Sequence, residues 1–167
     1  MKTQFLTICA LLSFLLPLTA EEKQSEETKI IITNTDEAKL IGGSHFLSLQ
    51  WIDNEDIFGR VEITPSKGSN ETAWKISGRQ DNQNNNDYLT IEGKITEINE
   101  RSFVFSGEIV SKISHINAGI PFVRNGRMNF HRKGSRKYWR LQEMENDSDS
   151  SGNVIDYVDI YLLKYRK

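Results

Sequence analysis

The stretch YLTIEGKITEINERSFVFSGEIVSKI, residues 88–113, decides the fold. Leu89, Ile91, Gly93 and Ile95 fall on one side of an extended chain, and Thr90, Glu92, Lys94 and Thr96 on the other. After the polar break Asn99–Arg101, the residues Phe103, Phe105, Ile109 and Ile113 point inward, and Val104, Glu108, Val110 and Lys112 outward. Side chains alternate across a strand with period two, so each run reads as a strand with one face on a core.

The same pattern extends in both directions. Ser44–Ile52 reads as a strand, and so does Ile57–Thr64, with Val61 and Ile63 inward and Arg60 and Glu62 outward. Thr72–Ser77 follows, with Trp74 and Ile76 on one face, and Gln80–Asp87 reads as an Asn-rich loop. Asn125-Gly126 is a hairpin signal, because a type I′ turn needs φ > 0 at both central residues; a turn there pairs Val123 with Met128. Ser135–Gln142 and Ile155–Leu162 complete the set. Beyond the N-terminal segment no amphipathic helix exceeds a turn or two. The expectation is an all-β fold: a single antiparallel β-barrel or two-layer β-sandwich of about eight strands.

The N-terminus reads as an export signal. Lys2 precedes a twelve-residue apolar stretch, Phe5–Leu16, and Pro17 and Ala20 mark a cleavage boundary before Glu21-Glu22. The stretch is shorter than the roughly 20 residues of a membrane span, so no transmembrane segment is expected after its removal. The expected division is a signal peptide over 1–20, a polar linker over 21–39 with an edge strand at Ile30–Ile32, and a β domain over 40–167. Removal of 20 residues from 167 leaves 147. It takes one lysine and no acid, so 20 basic and 23 acidic residues remain, a net −3. That balance argues against nucleic acid as a partner. Cys9 leaves with the signal, so neither a disulfide nor a thiol nucleophile is expected.

The last two strands carry the most chemistry. Arg136, Tyr138, Arg140 and Gln142 share one face of the first, and Tyr157, Asp159 and Tyr161 one face of the second. In a hairpin with Gln142 opposite Ile155, Arg140 faces Tyr157, Tyr138 faces Asp159 and Arg136 faces Tyr161, while Trp139 faces Val158 on the apolar side. Two readings stand: a solvated ladder of stacked and paired charges, or a groove for a small anionic or sugar-like ligand, since guanidinium groups clamp carboxylate or phosphate and tyrosines stack. Charge is segregated here. Arg124–Arg140 holds seven basic residues and no acid, and Leu141–Asp159 six acids and no base. Mutual neutralisation across a hairpin is the simplest account.

Asp147, Asp149 and Ser151, followed by Gly152, resemble the first half of a calcium loop. Val158 stands where the bidentate Glu belongs, so a plain acidic loop is the expectation and no cofactor is assigned. His45, His115 and His131 lack zinc-ligand spacing. The parity of His115 places it in the core or at its rim, and a serine such as Ser111 or Ser114 is its candidate partner in a hydrolase. No nucleophile elbow, HExxH or Gly-rich phosphate loop is present.

SHINAGIPF (114–122), VRNGRMNFHRKGSRKYWRL (123–141) and DYVDIYL (156–162) resemble a family of exported bacterial proteins of unknown function, marked by RKYWRL followed by DYVDIY. The resemblance covers about the C-terminal third. It implies cysteines near Phe122 and before DYVDIY, which this chain lacks. The functional expectation is a non-enzymatic exported domain, periplasmic or secreted, that binds a small ligand, an envelope glycan or a protein through Arg136, Tyr138, Arg140, Tyr157, Asp159 and Tyr161. A hydrolase with an unrecognised site and a structural envelope-associated protein are the alternatives.

Overall fold

Ten of the strands alternate with turns where the sequence loses its period, and one short helix precedes them. In chain order they are β1 (Ile31–Ile32), α1 (Thr35–Ile41), β2 (Gly43–Leu49), β3 (Gly59–Thr64), β4 (Trp74–Asp81), β5 (Tyr88–Asn99) and β6 (Ser102–Lys112). Then come a 3₁₀ turn (Asn117–Gly119), β7 (Phe122–His131), β8 (Tyr138–Leu141), β9 (Glu145–Asn146), β10 (Val154–Ile155) and β11 (Val158–Tyr161). This computed structural model describes residues 29–52, 58–66, 72–148 and 154–163. The expected signal peptide with Cys9, and the loop positions Asp149, Ser151 and Gly152, lie outside the described residues.

Strands β2 to β8 pair antiparallel in sequence order, and β11 lies between β8 and β2. The sheet closes through β5–β6, giving an eight-stranded antiparallel barrel rather than a sandwich. β1 adds to β5 in parallel, with Ile31 opposite Glu97, and β9–β10 form a separate two-stranded ladder. Closure removes most sheet edges, which are otherwise templates for aggregation, and leaves open the part of β7 beyond its two pairs with β8. The bore is filled by side chains. Phe103, Phe105, Phe130 and Trp139 are fully buried there. Phe103 stacks on Phe130 at 4.9 Å and meets Trp139 edge-on at 6.0 Å. Each such ring contributes about 1.5–3 kcal/mol by burial.

Curling the sheet requires close approach of neighbouring backbones. Gly93 of β5 lies opposite Gly107 of β6, which lies opposite Gly126 of β7. A Cβ on Gly107 would sit 2.3 Å from the Glu92 carbonyl oxygen and 2.8 Å from the Phe105 ring. Gly126 adopts φ 115°. The Asn125-Gly126 hairpin expectation is therefore corrected: β7 runs straight through, with Asn125 opposite Glu108, and its glycine serves the bend of the sheet. The chain reverses instead through Asn117, Ala118 and Gly119, all with positive φ.

Three further differences have physical causes. A bulge between Ile95 and Glu97 flips the parity of β5, which brings Ile98 into the core. β4 continues to Asp81, and the buried Gln80 accepts a hydrogen bond from the Leu49 amide at 2.7 Å, so the loop is shorter than expected. Residues 35–41, which span the end of the expected polar linker (21–39) and the first two residues of the expected β domain, form α1. Asn34 caps it by accepting from the Glu37 amide at 2.8 Å. The helix buries Glu37, Ala38 and Ile41 over one end of the barrel. There Glu37 accepts Trp139 Nε1–H at 2.8 Å and Arg132 Nη2–H at 2.7 Å.

Candidate functional site

Trp139, Leu141, Val158 and Ile160 point into the bore, so the alternate residues of β8 and β11 stand on the outer wall. The expected faces hold, but the pairing is two residues out. Arg140 lies opposite Asp159, and Tyr138 opposite Tyr161. β9, β10 and the break at Asp156-Tyr157 take chain out of the hairpin, and a shift of two preserves which side faces in.

The outer array is internally bonded. Arg140 Nε and Nη2 donate to Asp159 Oδ1 and Oδ2, both at 2.7 Å. The Arg140 guanidinium also covers Tyr157 at 4.1 Å and Tyr138 at 5.2 Å, and Arg136 lies 5.5 Å from the Tyr138 ring. Tyr138 and Tyr161 are 4.9 Å apart, and Tyr161 continues to Phe58 at 5.3 Å. Asp159 is buried, which pushes its carboxyl up against the pull of Arg140. Its hydrogen bonds in turn push Arg140 up, so the guanidinium stays charged. The pair stands closed, and binding capacity falls to its neighbours. His131, Lys133, Arg136, Arg140 and Tyr157 surround a recess of ≈140 Å³ with no carboxylate in its lining. Lys133 and Arg136 form no ion pair among the described residues. All six residues expected at the site are thus on one wall, and Arg136, Arg140 and Tyr157 reach the recess.

A second feature escaped the sequence reading. β7 and β8 share only the pairs Phe130–Leu141 and His131–Arg140. Below them the chain leaves the barrel for β9, and a cleft of ≈650 Å³ opens along β7. Phe122, Met128, Met144 and Ile155 supply apolar walls. Arg124 lines it and belongs to a buried polar network behind it. Asp156 accepts from Arg124 Nη2, Trp51 Nε1 and Asn146 Nδ2, each at 2.9 Å. Arg124 also donates to the carbonyls of Glu143, Met144 and Glu145. Its Nη1 is buried without a partner. The signal for this network was the odd inward parity of Arg124 in an otherwise apolar strand face.

The histidine expectation is corrected. His115 is exposed in the loop after β6, edge-on to Trp51 at 6.2 Å, because the chain leaves the sheet at Ile113. Ser114 instead donates to Asp87, and Ser111 lies 3.4 Å from Asp156. The buried histidine is His45, whose Nε2 bonds the Ile41 carbonyl at 2.8 Å. No group of three or more histidine, cysteine or acidic residues suited to a metal occurs among the described residues. Asp147 borders the cleft. No helix among the described residues is long and apolar enough to cross a membrane.

The chain is similar to a Pasteurella multocida (strain Pm70) protein described as uncharacterized protein PM1083, with 41% identity over 126 residues, 75% of each chain. No solved structure matches it. The PM1083 family model matches residues 26–162, which includes every strand of the barrel. The chain therefore belongs to the PM1083 family.

Proposed function

We propose that this protein is an exported, non-enzymatic binding barrel, and that its ligand is an anionic sugar or a similar small anion held on the outer wall at β8 and β11. The supporting observation is the recess lined by Lys133, Arg136 and Arg140 beside His131, with no Asp or Glu among its lining residues. Tyr157, the most exposed ring of the array, stands beside it for stacking. The filled bore leaves the wall as the binding surface, in contrast to barrels that enclose their ligand. Lys133 and Arg136 supply the charge, because Arg140 is already engaged by Asp159.

Amide chemical shifts of labelled protein titrated with glucose 6-phosphate, and with glucose as the neutral control, test the reading. The phosphate sugar is expected to move the amides of residues 131–140 with a dissociation constant near about 1 mM, about 4 kcal/mol of binding. Lys133→Ala with Arg136→Ala should weaken it by about tenfold or more. Equal responses to glucose and its phosphate, or an unaffected double variant, would refute the assignment.

A further inference from the structure

The geometry points to a second, independent site: the cleft along β7 docks an extended peptide segment of a partner protein, one bearing lysine or arginine, as an added strand. Three observations carry this inference, and none depends on the anion recess.

The first is an unpaired strand edge. In an antiparallel sheet the main-chain groups of successive residues alternate between the two neighbours. Asn129 marks the parity that faces β8, since its carbonyl accepts from the Gln142 amide at 2.8 Å. The same parity places the N–H and C=O groups of Val123, Asn125 and Arg127 along the cleft, where no described strand pairs with them. One rung is already replaced by a side chain. Glu143 Oε2 accepts the Asn129 amide at 2.8 Å, as a neighbouring carbonyl would. Only another backbone offers alternating donors and acceptors at strand spacing.

The second is a buried donor on a side chain that lines the cleft. Arg124 Nη1 has no acceptor although the side chain is only 7% exposed. A buried polar group without a partner is costly, and because Arg124 lines the cleft, a turn of its guanidinium would bring Nη1 to a peptide carbonyl entering there.

The third is charge. Both arginines that line the cleft are neutralised, Arg124 by Asp156 at 2.9 Å and Arg127 by Glu97 at 2.7 Å. The lining carboxylates Glu145 and Asp147 form no ion pair among the described residues. The cleft therefore carries uncompensated negative charge, complementary to basic side chains on the incoming strand. Val123, about half exposed at the edge, offers an apolar contact to the alternate residues.

Fluorescence anisotropy with a labelled hexapeptide of alternating lysine and valine tests this. Two N-methylated forms are compared, one blocked on every valine nitrogen and one on every lysine nitrogen. Strand addition requires that one form loses about tenfold or more in affinity while the other binds as the parent does. Glu145→Lys with Asp147→Lys should weaken the parent peptide about tenfold at low salt, and a glutamate-for-lysine peptide should not bind. Lys133→Ala with Arg136→Ala should leave peptide binding unchanged, which separates this site from the anion recess. Equal binding of both N-methylated forms, no binding of the parent at about 1 mM, or self-association of the protein through β7 in sedimentation would overturn the inference.

Discussion

Replacing Asp156 with alanine tests whether the network under the cleft holds that end of the barrel together. The carboxylate is 1% exposed and receives three close donors, from Arg124, Trp51 and Asn146. Its removal leaves a buried guanidinium held only by main-chain carbonyls. Breaking a buried pair by deleting one partner costs about 3–5 kcal/mol. The orphaned Trp51 and Asn146 donors add to this, and water entering the space offsets part of it. At about 2–4 °C per kcal/mol for a domain of this size, Asp156→Ala should lower the Tm by about 6–20 °C. Urea unfolding followed by tryptophan emission measures the same loss. The double variant Arg124→Met with Asp156→Leu removes both charges together and should cost less than Asp156→Ala alone, because desolvation of the pair disappears with it. A loss under about 1 kcal/mol for Asp156→Ala, or a double variant equal to the sum of the singles, would refute the coupling.

Gly107→Ala should destabilise the fold by about 1–3 kcal/mol or more, since the new methyl meets the Glu92 carbonyl at 2.3 Å, while Gly42→Ala, with its nearest neighbour at 3.4 Å, should cost much less; equal midpoints in urea would count against the close approach. Burial holds His45 below its usual 6.5, so the unfolded chain takes up its proton first as the solution is acidified. Its contribution is complete above pH 6.5 and is lost as pH falls through the lower folded value, so wild-type stability should drop more steeply than that of His45→Gln between pH 6.5 and 5; parallel profiles would exclude the histidine as the cause.

Period-two burial made the walls of the barrel legible. Leu89, Ile91, Ile95, Phe103, Phe105 and Ile109 all face the bore as their spacing requires. Closure into a barrel was not legible, because it depends on where the sheet curls, and that information sits in the alignment of Gly93, Gly107 and Gly126 across three strands. Asn125-Gly126 carries a turn signal for the same reason: a residue free to take positive φ suits a tight turn and a sharp bend alike. The array at Arg140 kept its faces although its register moved, since parity survives a shift of two. The cleft had no local signature at all. It arises from unequal lengths, ten residues in β7 against four in β8, and length mismatch becomes visible only once the two strands are known to be neighbours.

The segregated charge between Arg124 and Asp159 then takes on a specific meaning. Neutralisation within this segment is partial: Arg124 pairs with Asp156 and Arg140 with Asp159, both with the carboxylate buried. Arg132 and Arg127 find their acids elsewhere, at Glu37 and Glu97. Among the described residues, further charges are sorted in space: Lys133 and Arg136 line the recess, and Glu143, Glu145 and Asp147 line the cleft. Gln142 and Met144 border both, so the two surfaces lie side by side with opposite polarity. Folding alone would favour bringing these neighbours together, because unpaired like charges repel and opposite ones close in sequence, all between Lys133 and Asp147, attract. The short β8 and the excursion through β9 keep them apart, which places the site where the barrel forgoes pairing that its own sequence makes available.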